Sequence, residues 1–195
     1  TGEGGMATTN NLKIYENLKL LRSQGVTRNH KDFKNKKNPT WYYEQKYLGL
    51  NYRITDFQCA LGISQLKKLN KFIQARRKVA SIYLKELKND ERFILPEEKE
   101  NYYHSYHLFP LQINFDKIKF SKQELFARFK KKGVNLQVHY IPIHLQPYYK
   151  KRFGFKQNQF KNFENFYKKE ISLPIYPSLK KNEIYRVINE LLSLK

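Results

Sequence analysis

The chain has 195 residues, 40% hydrophobic and 15% aromatic; that apolar content excludes a disordered chain and suits either one domain or a piece of a two-domain protein. The formal net charge of +21 raises nucleic acid as a partner, yet the lysines are spread along the whole chain among Asn, Ile, Tyr and Phe, the pattern of an AT-rich coding sequence, so no specific nucleic acid is expected. One cysteine, Cys59, excludes a disulfide framework and a CxxC metal or redox pair, and no apolar run approaches the ~18 residues of a membrane span, which together point to the cytoplasm.

Met6 to Thr9, flanked by Gly4-Gly5 and Asn10-Asn11, reads as a brief strand between turns. Asn11 is placed to cap a helix along which Leu12, Tyr15, Leu18 and Leu21 recur at helical spacing until Gly25. Residues 26 to 50 show no sustained period and include the basic run Lys34-Asn35-Lys36-Lys37, Pro39 and the aromatic cluster Trp41-Tyr42-Tyr43, the mark of a long loop. Thr55 and Gln58 form a capping box, and an apolar stripe of Leu66, Leu69, Ile73, Ala80, Tyr83 and Leu87 follows. At ~1.5 Å per residue that predicts one helix about 50 Å long, enough to link two domains.

Tyr106 to Ile113 reads as a buried strand in which Pro110 marks an edge or a bulge. A second capping box, Ser121 with Glu124, opens a helix with Leu125, Phe126 and Phe129 on its apolar face; the basic run Lys130-Lys131-Lys132 forms its polar end and Gly133 stops it. Val134, Leu136, Val138 and Tyr140 then alternate with polar residues, the period of a half-buried strand. Ile184, Val187, Ile188, Leu191 and Leu192 close the chain as an amphipathic helix. Strand, helix, strand, helix after residue 105 predicts a small α/β domain.

Three features bear on chemistry. His104, His107, His139 and His144 have no carboxylate or cysteine beside them at metal-site spacing, so no metal is expected. Asn51-Tyr52-Arg53 stands directly before a helix N-terminus, where backbone donors and the dipole favour a phosphate; a simple turn before a helix fits the same residues, and both readings stay open. His139-Tyr140 with Pro142, His144, Gln146, Pro147, Tyr148 and Tyr149 forms a loop of neutral donors and rings that suits a sugar or a base, or equally an aromatic surface.

Taken together and in order, Thr1-Gly2-Glu3-Gly4-Gly5, the run from Gly49 to Gly62, and Asn135 through Tyr149 resemble the DegT/StrS family of sugar aminotransferases. With Trp41-Tyr42-Tyr43-Glu44-Gln45, the last segment looks most like the subgroup acting on the way to pseudaminic acid. The resemblance implies an α/β, type I PLP-dependent aminotransferase fold. Residues 1–75 would be the C-terminal remainder of the large cofactor domain with the start of the linking helix, and residues 76–195 the small C-terminal α/β domain. It further implies pyridoxal 5'-phosphate as cofactor, glutamate as amino donor and C4 of a UDP-linked 4-keto-6-deoxy-N-acetyl hexose as acceptor, in a homodimer with shared active sites. Asn51 would reach the cofactor phosphate, Arg53 the nucleotide diphosphate or the donor carboxylate, and His139 and Tyr140 the sugar. The Schiff-base lysine would stand just upstream of Thr1, so the chain reads as a fragment with no catalytic lysine of its own. A same-fold sugar dehydratase, with histidine in place of that lysine, and a basic nucleic-acid-binding module are the alternatives.

Overall fold

The computed structural model describes every residue except Lys36 and Lys195; Lys36, in the basic run expected to lie in a loop, is therefore outside the described residues. The chain divides into two compact units, Thr1–Lys68 and Leu69–Lys195, where the sequence reading sets the division after residue 75. Among the described residues no helix is long and apolar enough to cross a membrane.

In the first unit the Asn11 side chain accepts from the Ile14 N–H and opens α1 (Leu12–Arg22). The helix ends in two left-handed residues, Gln24 and Gly25, with the Gly25 N–H returning to the Leu20 carbonyl at 2.7 Å. A two-residue antiparallel ladder follows, β1 (Val26–Thr27) against β2 (Glu44–Gln45), and then α2 (Asp56–Leu66), whose capping box forms as the sequence predicts. Two glycines set how closely these pieces approach. A Cβ on Gly25 would lie 1.9 Å from the Tyr47 carbonyl oxygen, and one on Gly49 2.2 Å from the Gly25 nitrogen, so backbone meets backbone there and no side chain fits. Met6 to Thr9 forms no strand: the Thr9 hydroxyl accepts from the Asn11 N–H at 3.1 Å, a local turn that replaces sheet pairing.

The second unit holds the core. Val79, Ala80, Tyr83 and Leu87 of α3 (Leu69–Leu87) pack with Ile184, Val187, Ile188 and Leu191 of α7 (Lys181–Leu192). Between these helices in sequence lie β3 (Phe93–Ile94), β4 (Phe109–Ile113), α4 (Lys122–Lys131), α5 (Pro147–Phe153), α6 (Lys161–Lys169) and β5 (Glu170–Leu173). The strands form an antiparallel sheet in the order β3-β4-β5. The two-residue period sends Phe109, Leu111 and Ile113 to the core with Ile171 and Leu173, and leaves Glu170 and Ser172 on the other face beside Gln112 and Pro110. The Ser121 and Glu124 capping box forms, and α4 buries Leu125 and Phe129. Each fully buried side chain of this size contributes roughly 1.5–3 kcal/mol relative to exposure.

Three further expectations are corrected. The single linking helix is two helices. The Lys67 N–H still reaches the Ile63 carbonyl, but the Lys68 N–H turns back to Gln65 at 2.9 Å, an i to i−3 bond that ends the ladder. Leu66 and Leu69, which carry the apolar stripe across the joint, are both exposed, so no buried contact holds the two lysines in register. Pro110 lies in the central strand, not at an edge; β3 pairs only Ile113 and Gln112, so its side of β4 is open at Pro110, where a missing N–H costs no ladder bond. Val134 to Gln137 keeps the alternation in burial, Val134 and Leu136 in and Asn135 and Gln137 out, but it lapses at Val138 and His139, both half-buried, and at the exposed Tyr140; among the described residues the segment pairs through one bridge, Gln137 with Ser172. The left-handed Gly133 that ends α4 does launch this segment, as the sequence predicts.

Candidate functional site

In the first unit, the glycine-rich start and the Asn51 to Gly62 run assemble on one another. Gln58, the far member of the capping box, accepts from the Thr55 N–H at 3.1 Å and donates through Nε2 to the carbonyls of Thr1 at 3.1 Å and Glu3 at 3.3 Å. Gly62 completes the fit, since a Cβ there would lie 3.2 Å from Thr1 Cγ2. Just before the cap, Asn51 bridges Ser23 antiparallel, with the Leu50 N–H on the Leu21 carbonyl at 2.8 Å and the Tyr52 N–H on Arg22 at 2.9 Å. The residues around Asn51 are thus clamped to the end of α1.

Arg53 Nη1 donates to Gln24 Oε1 at 2.6 Å, and both Arg53 and Asn51 are exposed. Arg53 lines a groove shared with Arg22, Arg28, Lys34 and Lys46. Two of these cations are tied to Glu44, which accepts from the N–H groups of Lys34 and Asn35 at 2.9 and 3.2 Å and from the Lys46 ammonium. Lys46 first, then the Lys34 N–H, hold the Glu44 carboxyl at about 2, below the ordinary carboxylate range. A carboxamide and a guanidinium beside the start of α2 form a donor set that fits a phosphate, and in the groove the cations outnumber the carboxylates of Glu16 and Asp32.

His139 and Tyr140 lie in the second unit, joined by a cis peptide bond. The ring of His139 is tied to β5: its Nδ1 is 2.7 Å from Ser172 Oγ, Ser172 Oγ donates to Glu170 Oε1 at 2.5 Å, and Glu170 Oε2 accepts from the His139 N–H at 3.2 Å. Glu170 and Ser172 are buried, His139 half-buried and Tyr140 exposed. Tyr140 stands edge-on to the imidazole, ring centroids 4.6 Å apart.

Two other histidines have structural partners. His144 is buried against Phe160 and lies 3.0 Å from Glu164 Oε1, and the Asn158 N–H and then His144 hold the Glu164 carboxyl below its ordinary range. His104 Nδ1 accepts from the Tyr106 N–H at 3.0 Å. Among the described residues no group of three His, Cys, Asp or Glu is placed to hold a metal.

The structure thus brings Asn51 and Arg53 together in one unit, and His139 and Tyr140 together in the other. Sequence reasoning missed Gln24, Glu44, Glu170 and Ser172. Gln24 carries no local signal, because its partner Arg53 lies 29 residues away, and Glu44 with Lys46 two residues on reads as an ordinary surface charge pair. Glu170-Ile171-Ser172-Leu173 does alternate polar with apolar, but that pattern reads as a solvated face, and the bridge from Gln137 is what buries it.

The sequence pattern of the DegT/DnrJ/EryC1/StrS aminotransferase family matches residues 1–192. The chain is 42% identical over 190 residues to the uncharacterized protein MJ1066 of Methanocaldococcus jannaschii, covering 97% of this chain and 49% of that protein. It is 34% identical over 194 residues to a UDP-4-amino-4,6-dideoxy-N-acetyl-beta-L-altrosamine transaminase of Campylobacter jejuni, covering 100% and 48%. The solved structure of PseC from Helicobacter pylori, an aminotransferase involved in the biosynthesis of pseudoaminic acid, superposes with a TM-score of 0.79 at 30% identity over 94% of this chain and 46% of that one. The chain spans about half the length of the curated relatives it matches, and its α/β fold is that of the corresponding part of these aminotransferases.

Proposed function

The chain belongs to the DegT/DnrJ/EryC1/StrS aminotransferase family, and we propose that it is the C-terminal part of a pyridoxal-phosphate-dependent transaminase acting on a nucleotide-linked keto sugar in the cytoplasm. The substrate is a UDP-linked 4-keto-6-deoxy-N-acetyl hexose, aminated at C4 with glutamate as donor. The observation that carries this reading is the exposed Asn51 and Arg53 pair clamped beside the capped start of α2, a donor set of the kind a phosphate needs.

Asn51 holds the cofactor phosphate by a hydrogen bond from its carboxamide, within a homodimer whose active sites draw on both subunits. Arg53, steered by Gln24, binds the nucleotide diphosphate or the donor carboxylate with the fork of its guanidinium. His139 and Tyr140 bind the sugar, the imidazole through a ring nitrogen and Tyr140 through its exposed ring and hydroxyl. Pyridoxal phosphate, when bound, supplies the electron sink that stabilises the carbanion beside the transferred nitrogen.

The test is amination of UDP-4-keto-6-deoxy-N-acetylglucosamine by the protein that includes this chain and its upstream residues, with L-glutamate and pyridoxal phosphate, read by mass spectrometry. The amino sugar is expected. Asn51→Ala should weaken cofactor binding by about tenfold, the ~1.4 kcal/mol of one charge-assisted hydrogen bond. No amine from any nucleotide keto sugar, or full cofactor affinity in the variant, would overturn the assignment.

A further inference from the structure

The polar chain behind His139 has a direction. Ser172 Oγ carries a single proton and stands 2.5 Å from Glu170 Oε1 and 2.7 Å from His139 Nδ1. An ionised carboxylate only accepts, so a serine that donates to it has only lone pairs left for the ring. The ring must then supply the proton of the second bond. Glu170 is committed on its other oxygen too, which accepts the backbone N–H of the same histidine.

The opposite direction, with a proton on Glu170 passed forward so that Ser172 donates to the ring, needs a neutral carboxyl. Its other oxygen is held by the N–H of His139, a bond that a charged carboxylate accepts more strongly than a neutral carboxyl. His139 Nε2 makes no hydrogen bond among the described residues, and the ring is only half-buried.

We propose that Glu170 and Ser172 are positioning residues that hold His139 with its proton on Nδ1, so that Nε2 presents a lone pair and recognises a hydroxyl or N–H of the bound ligand. This rests on the reading above that His139 faces the sugar. The site then accepts a hydrogen bond from the sugar at this point and does not donate one, reversing the Nε2–H form that free histidine favours. An acceptor locked in this way selects a hydroxyl over a keto oxygen at the position it touches, because a ketone has no proton to give.

The tautomer is read directly from long-range 1H–15N correlation spectra of the intact protein labelled in histidine, above the pH at which the ring titrates, with the His139 signals identified by their loss in His139→Asn. The expected pattern is a pyrrole-type Nδ1 and a pyridine-type Nε2. Ser172→Ala should move the ring toward the Nε2–H form, and Ser172→Thr, which keeps the hydroxyl, should restore the original pattern. A wild-type ring protonated on Nε2, or an unchanged pattern in Ser172→Ala, overturns the proposal; if the alanine variant does not fold, the wild-type spectrum decides alone. The readout does not depend on turnover. An Nδ1–H ring in a protein that aminates no sugar leaves the relay standing and sinks the transaminase reading, whereas an active enzyme with an Nε2–H ring does the reverse.

Discussion

In Leu69–Lys195, α3, α4 and α7 each bury an apolar stripe, and β4 and β5 send five side chains into the same core. In Thr1–Lys68, α1 and α2 bury no residue, although Leu12, Tyr15, Leu18 and Leu21 repeat at the same helical spacing. Leu12, Phe57 and Leu66 are among the most exposed large apolar side chains. Apart from the buried Phe33, what organises the first unit is polar: the backbone approach at Gly25 and Gly49, the cap of α2 and the carboxylate of Glu44. Periodicity therefore reports where a helix would bury itself, and hydrogen bonding reports what holds it in this chain. Apolar faces of this extent mark surfaces built to be covered.

The largest expected effect separates the two units by burial. Phe109→Ala, in the core, should cost about 3–5 kcal/mol in urea denaturation, whereas Phe57→Ala, on the exposed face of α2, should stay within about 0.5 kcal/mol. Equal costs would erase the contrast.

Acid should separate them next. Each unit carries one strongly anchored carboxyl held at about 2, Glu44 chiefly by Lys46 and Glu98 chiefly by Arg77, with backbone N–H groups adding to both. Because the folded values are lowered, the stabilisation is complete above the ordinary carboxylate value and fades as pH falls from there through about 2. In that window hydrogen exchange should quicken at Lys34 and Asn35, which donate to Glu44, and at His104, which donates to Glu98. The amides of β4 and α7 should stay protected by their core. Exchange that quickens everywhere at one pH would break the comparison, and Glu44→Gln should abolish the response at Lys34 and Asn35 only.

The smallest effect compares two copies of one device. Ser121→Ala removes the cap of α4 and should lower the cooperative stability of the core unit by about 1 kcal/mol. Thr55→Ala removes the matching cap of α2 and should fray that helix, seen as faster amide exchange in its first turn, without moving the denaturation midpoint. A shift of the midpoint by Thr55→Ala as large as that of Ser121→Ala would tie α2 to the core.

The same contrast explains what could be read in advance. Both capping boxes and the apolar faces of α4 and α7 were legible, because caps and periods are local and the core confirms them. The break at Lys67 and Lys68 was not, since Leu66 and Leu69 keep the period across it. Val134 to Tyr140 showed its alternation but not its single bridge. At the candidate site, the place of Asn51 and Arg53 before a cap was legible, while their assignment, like that of His139, came from the family resemblance. The partners that orient them were not legible: Gln24 lies 29 residues from Arg53 and Ser172 33 residues from His139, separations that only tertiary structure closes.

One consequence of the Gln58 side chain concerns which residues are interchangeable. At the third position of a helix, a capping box works with glutamine or glutamate alike, since either offers an oxygen to the cap. Here the same side chain also donates to the carbonyls of Thr1 and Glu3, and a carboxylate has no proton to offer them. Ser121 and Glu124 show the acid version doing the capping task alone. At Gln58 the amide and the acid cease to be synonyms: glutamate would keep the helix start and release the glycine-rich segment lying on it.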